Sequence, residues 1–297
     1  MNNGPLFSII IIGYNTSTEL SRLLHSINNI LYNKNDMEII YIDDGSTDDS
    51  LKLFQNYNLK FKKIFFGFND NMGRNNARNK GVELATGQWL LFLNSNVVVN
   101  QNIVCSYQRL IQQPVIAIGG TIKYETKDIC FQNYLNYHSR GINQYSQGDI
   151  IKYNYLLFSN CMIKRSALKT IKFKNSLKSY GGEELELSYR LSKQHPQQFI
   201  ACIDAVVTRY NHPNLLSHCK RLESFGRKNY QKLNIELQHS IIKYPFLIRK
   251  NMVLKYCIRL INIIFTWAYK KGLQHRKIIQ ILLLTGILKG IHNNYTR

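Results

Sequence analysis

Two stretches of the chain gather residues whose chemistry goes beyond what folding requires. In Tyr41-Ile42-Asp43-Asp44-Gly45-Ser46-Thr47-Asp48, two carboxylates close an apolar run and precede hydroxyl residues. Carboxylates at the carboxyl end of a strand face the crevice where α/β sheets bind ligands, and Ser46 or Thr47 can cap the next helix. Spacing alone leaves an ordinary strand–turn–helix connection equally open. In Tyr180-Gly181-Gly182-Glu183-Glu184-Leu185-Glu186-Leu187-Ser188-Tyr189-Arg190, acidic residues follow two glycines and open a helix whose positive end suits them. Glu186 and Arg190 are also spaced as an ordinary i,i+4 pair. Arg78 offers a guanidinium for multidentate contact with phosphate or carboxylate, or a simple ion-pair partner for Asp43 or Asp44.

These residues need elements to hold them. Phe7–Tyr14, Met37–Asp43, Phe61–Phe66 and Trp89–Leu93 read as strands, short and rich in β-branched or aromatic residues. Three helices separate them. The first follows Thr16 with a Thr-x-x-Glu capping box (Thr16, Glu19) and sets Leu20, Leu23, Leu24 and Ile27 on one face; the second begins near Ser46 or Thr47; the third runs from Met72 to Ala85. Continuous apolar strands alternating with amphipathic helices predict a mostly parallel sheet covered on both faces, with functional residues just after each strand. Beyond residue 115 the pattern is mixed, with strand-like Val115–Tyr124, Tyr155–Ile163 and Phe199–Arg209 around a polar, Tyr-rich segment near Asn133–Tyr155.

The chain has 297 residues and carries 39 Lys plus Arg against 18 Asp plus Glu, a formal charge of +21, which favours anionic partners such as phosphates or lipid headgroups. No helix-turn-helix, zinc-finger or RNA-recognition pattern accompanies the charge, so no specific nucleic-acid partner is expected. The six cysteines are widely spaced without a CxxC pair, which argues against a zinc ribbon or thioredoxin-like site and predicts buried free thiols in a reducing compartment. Met1–Pro5 has no basic stretch, and Phe7–Ile12 is too short for a signal sequence or a span, which predicts a cytoplasmic protein.

Taken together, Ser8-Ile9-Ile10-Ile11-Ile12-Gly13-Tyr14-Asn15, Asp43-Asp44-Gly45-Ser46-Thr47-Asp48, Asn71-Met72-Gly73, Ala77-Arg78-Asn79-Lys80-Gly81 and Ala85-Thr86-Gly87 before Trp89 resemble family 2 glycosyltransferases over roughly residues 6 to 230. The resemblance implies a GT-A fold, a nucleotide-diphosphate-sugar donor of UDP or GDP type, and inversion at the anomeric carbon. By position, Tyr14 and Asn15 would line the nucleoside pocket. Asp44 would hydrogen-bond base or ribose, Asp43 would support the turn, and Asn71, Gly73 and Arg78 would lie along the donor. Gly182 to Leu187 looks like the Gly-Glu-Asp-x-Glu-Leu segment of the family, with Glu184 where the usual Asp stands, which implies Glu184, with Glu183 beside it, as the base that deprotonates the acceptor hydroxyl.

One departure stands out. Where the family carries Asp-x-Asp, this chain reads Asn94-Ser95-Asn96. Asparagine keeps a carbonyl oxygen but loses the charge that Mg²⁺ or Mn²⁺ favours, so metal binding through Asn94 and Asn96 should be weakened. His212, where several relatives have a metal-binding histidine, would be the remaining metal ligand beside Asn96, or else a turn residue before Pro213. The resulting expectation is a transferase building a cell-surface glycan on a glycan or lipid-linked acceptor; the alternative is a GT-A-fold protein impaired in catalysis that serves as partner of another transferase.

Residues 1–230 are expected to form the GT-A domain, about 1–100 binding the nucleotide sugar and 101–230 shaping the acceptor side, followed by a helical basic tail at 231–297. After Glu236 no acidic residue appears, whereas Lys243, Arg249, Lys250, Lys255, Arg259, Lys270, Lys271, Arg276, Lys277, Lys289 and Arg297 do. Met252–Tyr269 contains Lys255 and Arg259, and Ile278–Leu288 is short, so neither reads as a transmembrane helix. Both suit an anionic membrane surface on the inner face of the cell membrane, or a helical subdomain that packs on the core or forms an oligomer interface.

Overall fold

The computed structural model describes residues 6–111, 114–177, 179–249 and 251–293. Met1–Pro5, on which the reading of the N-terminus rests, and the tail cations Lys250 and Arg297 lie outside the described residues. The elements in chain order are β1 (Phe7–Gly13), α1 (Ser17–Asn28), β2 (Met37–Asp43), α2 (Ser50–Asn56), β3 (Lys62–Gly67), α3 (Arg74–Leu84), β4 (Trp89–Asn94), β5 (Val97–Val99), α4 (Ile103–Gln108), β6 (Ala117–Tyr124), α5 (Ile129–Leu135), β7 (Asn160–Lys164), α6 (Glu183–Gln194), β8 (Phe199–Arg209), α7 (Leu215–Lys228), α8 (Ile235–Ile241), α9 (Met252–Lys270) and α10 (Arg276–Asn293).

All eight strands join one sheet in the order β3-β2-β1-β4-β7-β6-β8-β5. The first four pair in parallel, with Ile12 of β1 opposite both Ile42 of β2 and Asn94 of β4, so the ends of these strands arrive side by side. Beyond β4 the sheet is mixed: β7 runs antiparallel to β4 and β6, β8 is parallel to β6, and β5 is antiparallel to β8. The period of two along β1 sorts its isoleucines. Ile9 and Ile11 enter one core with Leu20, Leu23, Leu24 and Ile27 of α1, while Ile10 and Ile12 enter the other with Ala77 of α3 and Phe92 of β4. Both faces are therefore apolar and covered, as continuous hydrophobic strands require.

The sequence located the first four strands to within about a residue, and the structure corrects several helix starts. Thr16 makes no side-chain cap, so the expected capping box does not form. Two of the first amides of the α1 end are met from another loop instead: Thr16 N donates to Ser50 Oγ (2.9 Å) and Ser17 N to Asp48 Oδ2 (3.0 Å). Because Ser46 is bonded to Asp43 and Thr47 to Asn15, neither caps α2, which begins later, at Ser50. Gly73 has φ +88, which holds Met72 outside α3. The strand expected at Tyr155–Ile163 narrows to β7, since residues 153–155 form a 3₁₀ turn. β5, α4, α5 and α7 went unread.

The chain packs as two compact units, one comprising residues up to Glu125, Leu135–Asn175 and Leu187–Asn211, the other Thr126–Tyr134, Ser176–Glu186 and His212 onward. Packing thus divides the chain at His212 and takes two earlier segments with the C-terminal helices, whereas motif coverage divides it near 231. In the second unit α7 and α10 touch backbone to backbone. A Cβ on Gly226 would stand 2.1 Å from Ile287 O, and one on Gly290 2.0 Å from Glu223 O. By length and composition alone, α9 is long and apolar enough to cross a membrane. All six cysteines are free, but only Cys161 and Cys202 are buried, and Cys257 is exposed.

Candidate functional site

The loops after β1, β2 and β3 are tied into one piece by side chains that the sequence singled out. Asn15, in the left-handed region at φ +51, donates its backbone N–H to Ser46 Oγ (2.8 Å), and its Oδ1 accepts from Thr47 N (2.8 Å). Its amide oxygen therefore organises the 46–48 loop. Asp43 folds the turn back on itself, accepting from Ser46 N (2.8 Å), Ser46 Oγ (2.6 Å) and Tyr41 Oη (3.2 Å). Gly45, at φ +76, lets this turn lie directly on the next one, since a Cβ there would sit 2.3 Å from the carbonyl carbon of Asp70.

Asp44 is the buried carboxylate that this arrangement leaves half-engaged. Its backbone N–H donates to Gly13 O (2.8 Å), fixing it to the end of β1. Its Oδ1 accepts from the amides of Met72 (2.9 Å) and Gly73 (2.9 Å), while these bonds leave Oδ2 uncommitted. Burial pushes the Asp44 carboxyl above the usual range, against the Met72 and Gly73 amides that pull it down; Asp43 beside it adds to the rise and Arg74 opposes it. Tyr14, 46% exposed, and the exposed Asn71 flank the same loops. An aromatic face, a carboxylate oxygen and backbone amides at a sheet's carboxyl edge can hold a heterocycle and hydroxyl groups.

Arg78 lies on α3, after Gly73. It is 1% exposed, with its guanidinium carbon 5.2 Å from the Phe158 ring centroid and 5.3 Å from that of Phe173. On the same helix, Asn79 exchanges hydrogen bonds with the backbone of Phe173 (3.0 and 2.9 Å), and Asn75 donates to Lys174 O (2.8 Å), so α3 anchors the 173–174 segment. Asn94 and Asn96 flank the turn between β4 and β5. Asn94 Nδ2 donates to Ser159 Oγ (2.9 Å) and Asn96 Nδ2 to Tyr210 O (3.4 Å), which turns two neutral Oδ1 atoms away from these bonds. Among the described residues no group of three His, Cys, Asp or Glu could hold a metal ion. Neutral amide oxygens do not make the anionic donor set that Mg²⁺ or Mn²⁺ prefers, so this turn does not fit a tightly held divalent cation.

The remaining candidates belong to the second unit. Gly181 and Gly182, at φ +93 and +89, lie against the Phe225 ring, and Asn229 Nδ2 donates to the carbonyls of Ser179 and Gly181 (both 2.8 Å). This scaffold fixes the start of α6, where Glu183 is buried and Glu184 half-buried. His212 is buried in an aromatic cluster, its ring 5.9 Å from Phe131 and 5.3 Å from His218. Sequence reasoning missed Asp48 and Ser50, which serve the α1 end, and Arg74, the cation beside Asp44; the Asp-x-Ser spacing after Thr47 was the available signal for the first two. A cleft of about 870 Å³ lined by Arg22, His25, Tyr57 and Tyr210 contains none of the candidate residues.

Comparison with known proteins agrees with this architecture. The model of the family "Glycosyl transferase family 2" matches residues 8–172, more than half of the chain. An uncharacterized glycosyltransferase of Haemophilus influenzae is 26% identical over 58% of this chain and 68% of its own length. Alignments with two other curated relatives span less than half of those proteins, 44% and 27%. Among solved structures, S. aureus TarS 1–349 in complex with UDP-GlcNAc superposes with a TM-score of 0.63 at 14% identity, covering 97% of this chain and 91% of that one. The mannosyltransferase PcManGT of Pyrobaculum calidifontis, in complex with GDP-Man and Mn²⁺, gives 0.64 at 11% identity over 96% and 87%. At these identities the likeness is one of fold, that of the GT-A transferases. With a parallel β1–β4 core, its loops joined at the carboxyl edge and a family match over that same region, the chain belongs to glycosyltransferase family 2.

Proposed function

We propose that this chain is an inverting glycosyltransferase that moves a sugar from a UDP- or GDP-linked donor to a hydroxyl of a glycan or lipid-linked acceptor in cell-surface polysaccharide synthesis. The observation that carries the reading is Asp44, held by two backbone amides with one oxygen uncommitted at the carboxyl edge of the sheet. That oxygen accepts a hydrogen bond from the ribose or base, and Tyr14 packs against the nucleoside. Asn71, Gly73, Asn94 and Asn96 border the rest of the donor. TarS bound to UDP-GlcNAc and PcManGT bound to GDP-Man support a nucleotide-sugar ligand.

In the transfer, the acceptor oxygen forms a bond to the anomeric carbon as the bond to the diphosphate oxygen breaks and the leaving nucleotide keeps the electron pair. The acceptor proton passes to a carboxylate, assigned to Glu184 with Glu183 beside it. Arg78 acts by fixing α3 and the segment it anchors. His212 is assigned a packing role ahead of a metal-ligand role, and donor binding is proposed to depend only weakly on Mn²⁺ or Mg²⁺, because Asn94 and Asn96 supply no charge.

A calorimetric titration with UDP, GDP and their sugars, each with and without Mn²⁺, tests this. The expected result is binding of one nucleotide class with little enhancement by metal. Absence of binding to every nucleotide would overturn it and leave the non-catalytic partner role.

A further inference from the structure

The second unit presents an apolar helix face that none of its described residues covers. Along α9, Val253, Tyr256, Leu260, Ile263, Ile264 and Trp267 follow helical spacing and all point outward, with Val253 71% and Ile263 65% exposed. A soluble surface rarely leaves so continuous a stripe open. Its two ends are cationic. Lys243 and Arg249 precede the helix, Lys270 and Lys271 end it, all four are exposed, and no carboxylate occurs after Glu236.

We propose that α9 docks on an anionic lipid bilayer, lying in the interface with this stripe in the acyl boundary and the four cations among the headgroups. The charge chooses between occupants. A second copy packed on the same face would bring the cationic ends against themselves, a like-charge contact with no acidic residue in the tail to relieve it. An anionic surface attracts each of them, and Tyr256 and Trp267 suit the headgroup level.

The inner face of α9 decides that the helix lies along the membrane instead of crossing it. Arg259 donates to Asn293 Oδ1 (2.8 Å) and Asn262 Nδ2 to Thr285 Oγ1 (2.8 Å) on α10, and Lys255 is buried. Lys289 of α10 in turn pairs with Glu223 of α7 (3.2 Å). A spanning α9 would carry these paired polar groups into hydrocarbon.

The test is flotation of the full chain with phosphatidylglycerol-containing vesicles and with pure phosphatidylcholine vesicles, together with Trp267 emission; the other tryptophan, Trp89, is buried and serves as a constant background. Salt-sensitive binding to the anionic vesicles with a blue shift is expected. The pair Lys270→Ala and Lys271→Ala should weaken it on the order of 30-fold, at about tenfold per 1.4 kcal/mol and about 1 kcal/mol per cation. The pair Ile263→Ser and Ile264→Ser should abolish the shift while circular dichroism stays unchanged. Equal binding to both vesicle types, no binding to either, or vesicle-independent self-association abolished by the same substitutions would each overturn the proposal.

Discussion

Glu38 and Asp44 are buried carboxylates at opposite ends of one strand, and the protein treats them in opposite ways. Glu38, near the start of β2, is saturated: Oε1 accepts from Ser8 Oγ (2.8 Å), Thr86 N (2.7 Å) and Thr86 Oγ1 (2.9 Å), and Lys62 Nζ lies 3.4 Å from Oε2. Burial alone would raise its carboxyl, but the Thr86 amide, the two hydroxyls and Lys62 outweigh it and hold the group below its ordinary value. Asp44, just past the end of the same strand, has only its Oδ1 engaged and is held above the usual range by burial. A carboxylate with every donor in place is a structural clamp. One that is desolvated and half-engaged retains capacity for a ligand.

The widest way to break this contrast is Glu38→Ala. It leaves the buried Ser8 hydroxyl and the part-buried Thr86 donors without their acceptor, and should lower unfolding stability in urea by about 3 kcal/mol while the folded protein keeps its nucleotide affinity. Next comes Asp44→Asn. Its amide oxygen still accepts from Met72 and Gly73, so stability should hold within about 0.5 kcal/mol, whereas nucleotide affinity by calorimetry should fall about tenfold to a hundredfold. Destabilisation with unchanged affinity would make Asp44 a clamp like Glu38.

pH sharpens the same comparison through opposite signs. Glu38 has a lowered folded value, so its contribution is present above the unfolded carboxyl range and is lost as pH falls through the folded value. Asp44 has a raised folded value, so its contribution is present below the unfolded range and declines as pH rises through the folded value. Glu38→Gln should therefore flatten the acid limb of the stability curve, and Asp44→Asn should remove the decline on the other side. Glu19→Ala, at a partly exposed carboxylate that forms no capping box, is the control and should cost less than about 0.5 kcal/mol.

Legibility followed the range of the interactions. The strands around Ile9–Ile12 and Ile39–Ile42 were readable because burial on both faces demands continuous apolar runs. Asp43 as the brace of its own turn was readable because its partner, Ser46, is three residues away. The cap of α1 was not, because its hydrogen-bond acceptors come from Asp48 and Ser50, more than thirty residues on. The rings around Arg78 were unreadable for a similar reason: Phe158 and Phe173 are some eighty residues or more distant in the chain.

The sequence by itself determined the family, the parallel start of the sheet and the loops that carry the candidate residues, because apolar periodicity and short motifs are local properties. Only the tertiary structure decided which carboxylate is saturated and which keeps an uncommitted oxygen, that Arg78 lies beside two aromatic rings, and that one face of α9 is left uncovered by the described residues. Each of these depends on which distant groups arrive to desolvate or hydrogen-bond a side chain, and that is fixed by packing, not by spacing along the chain.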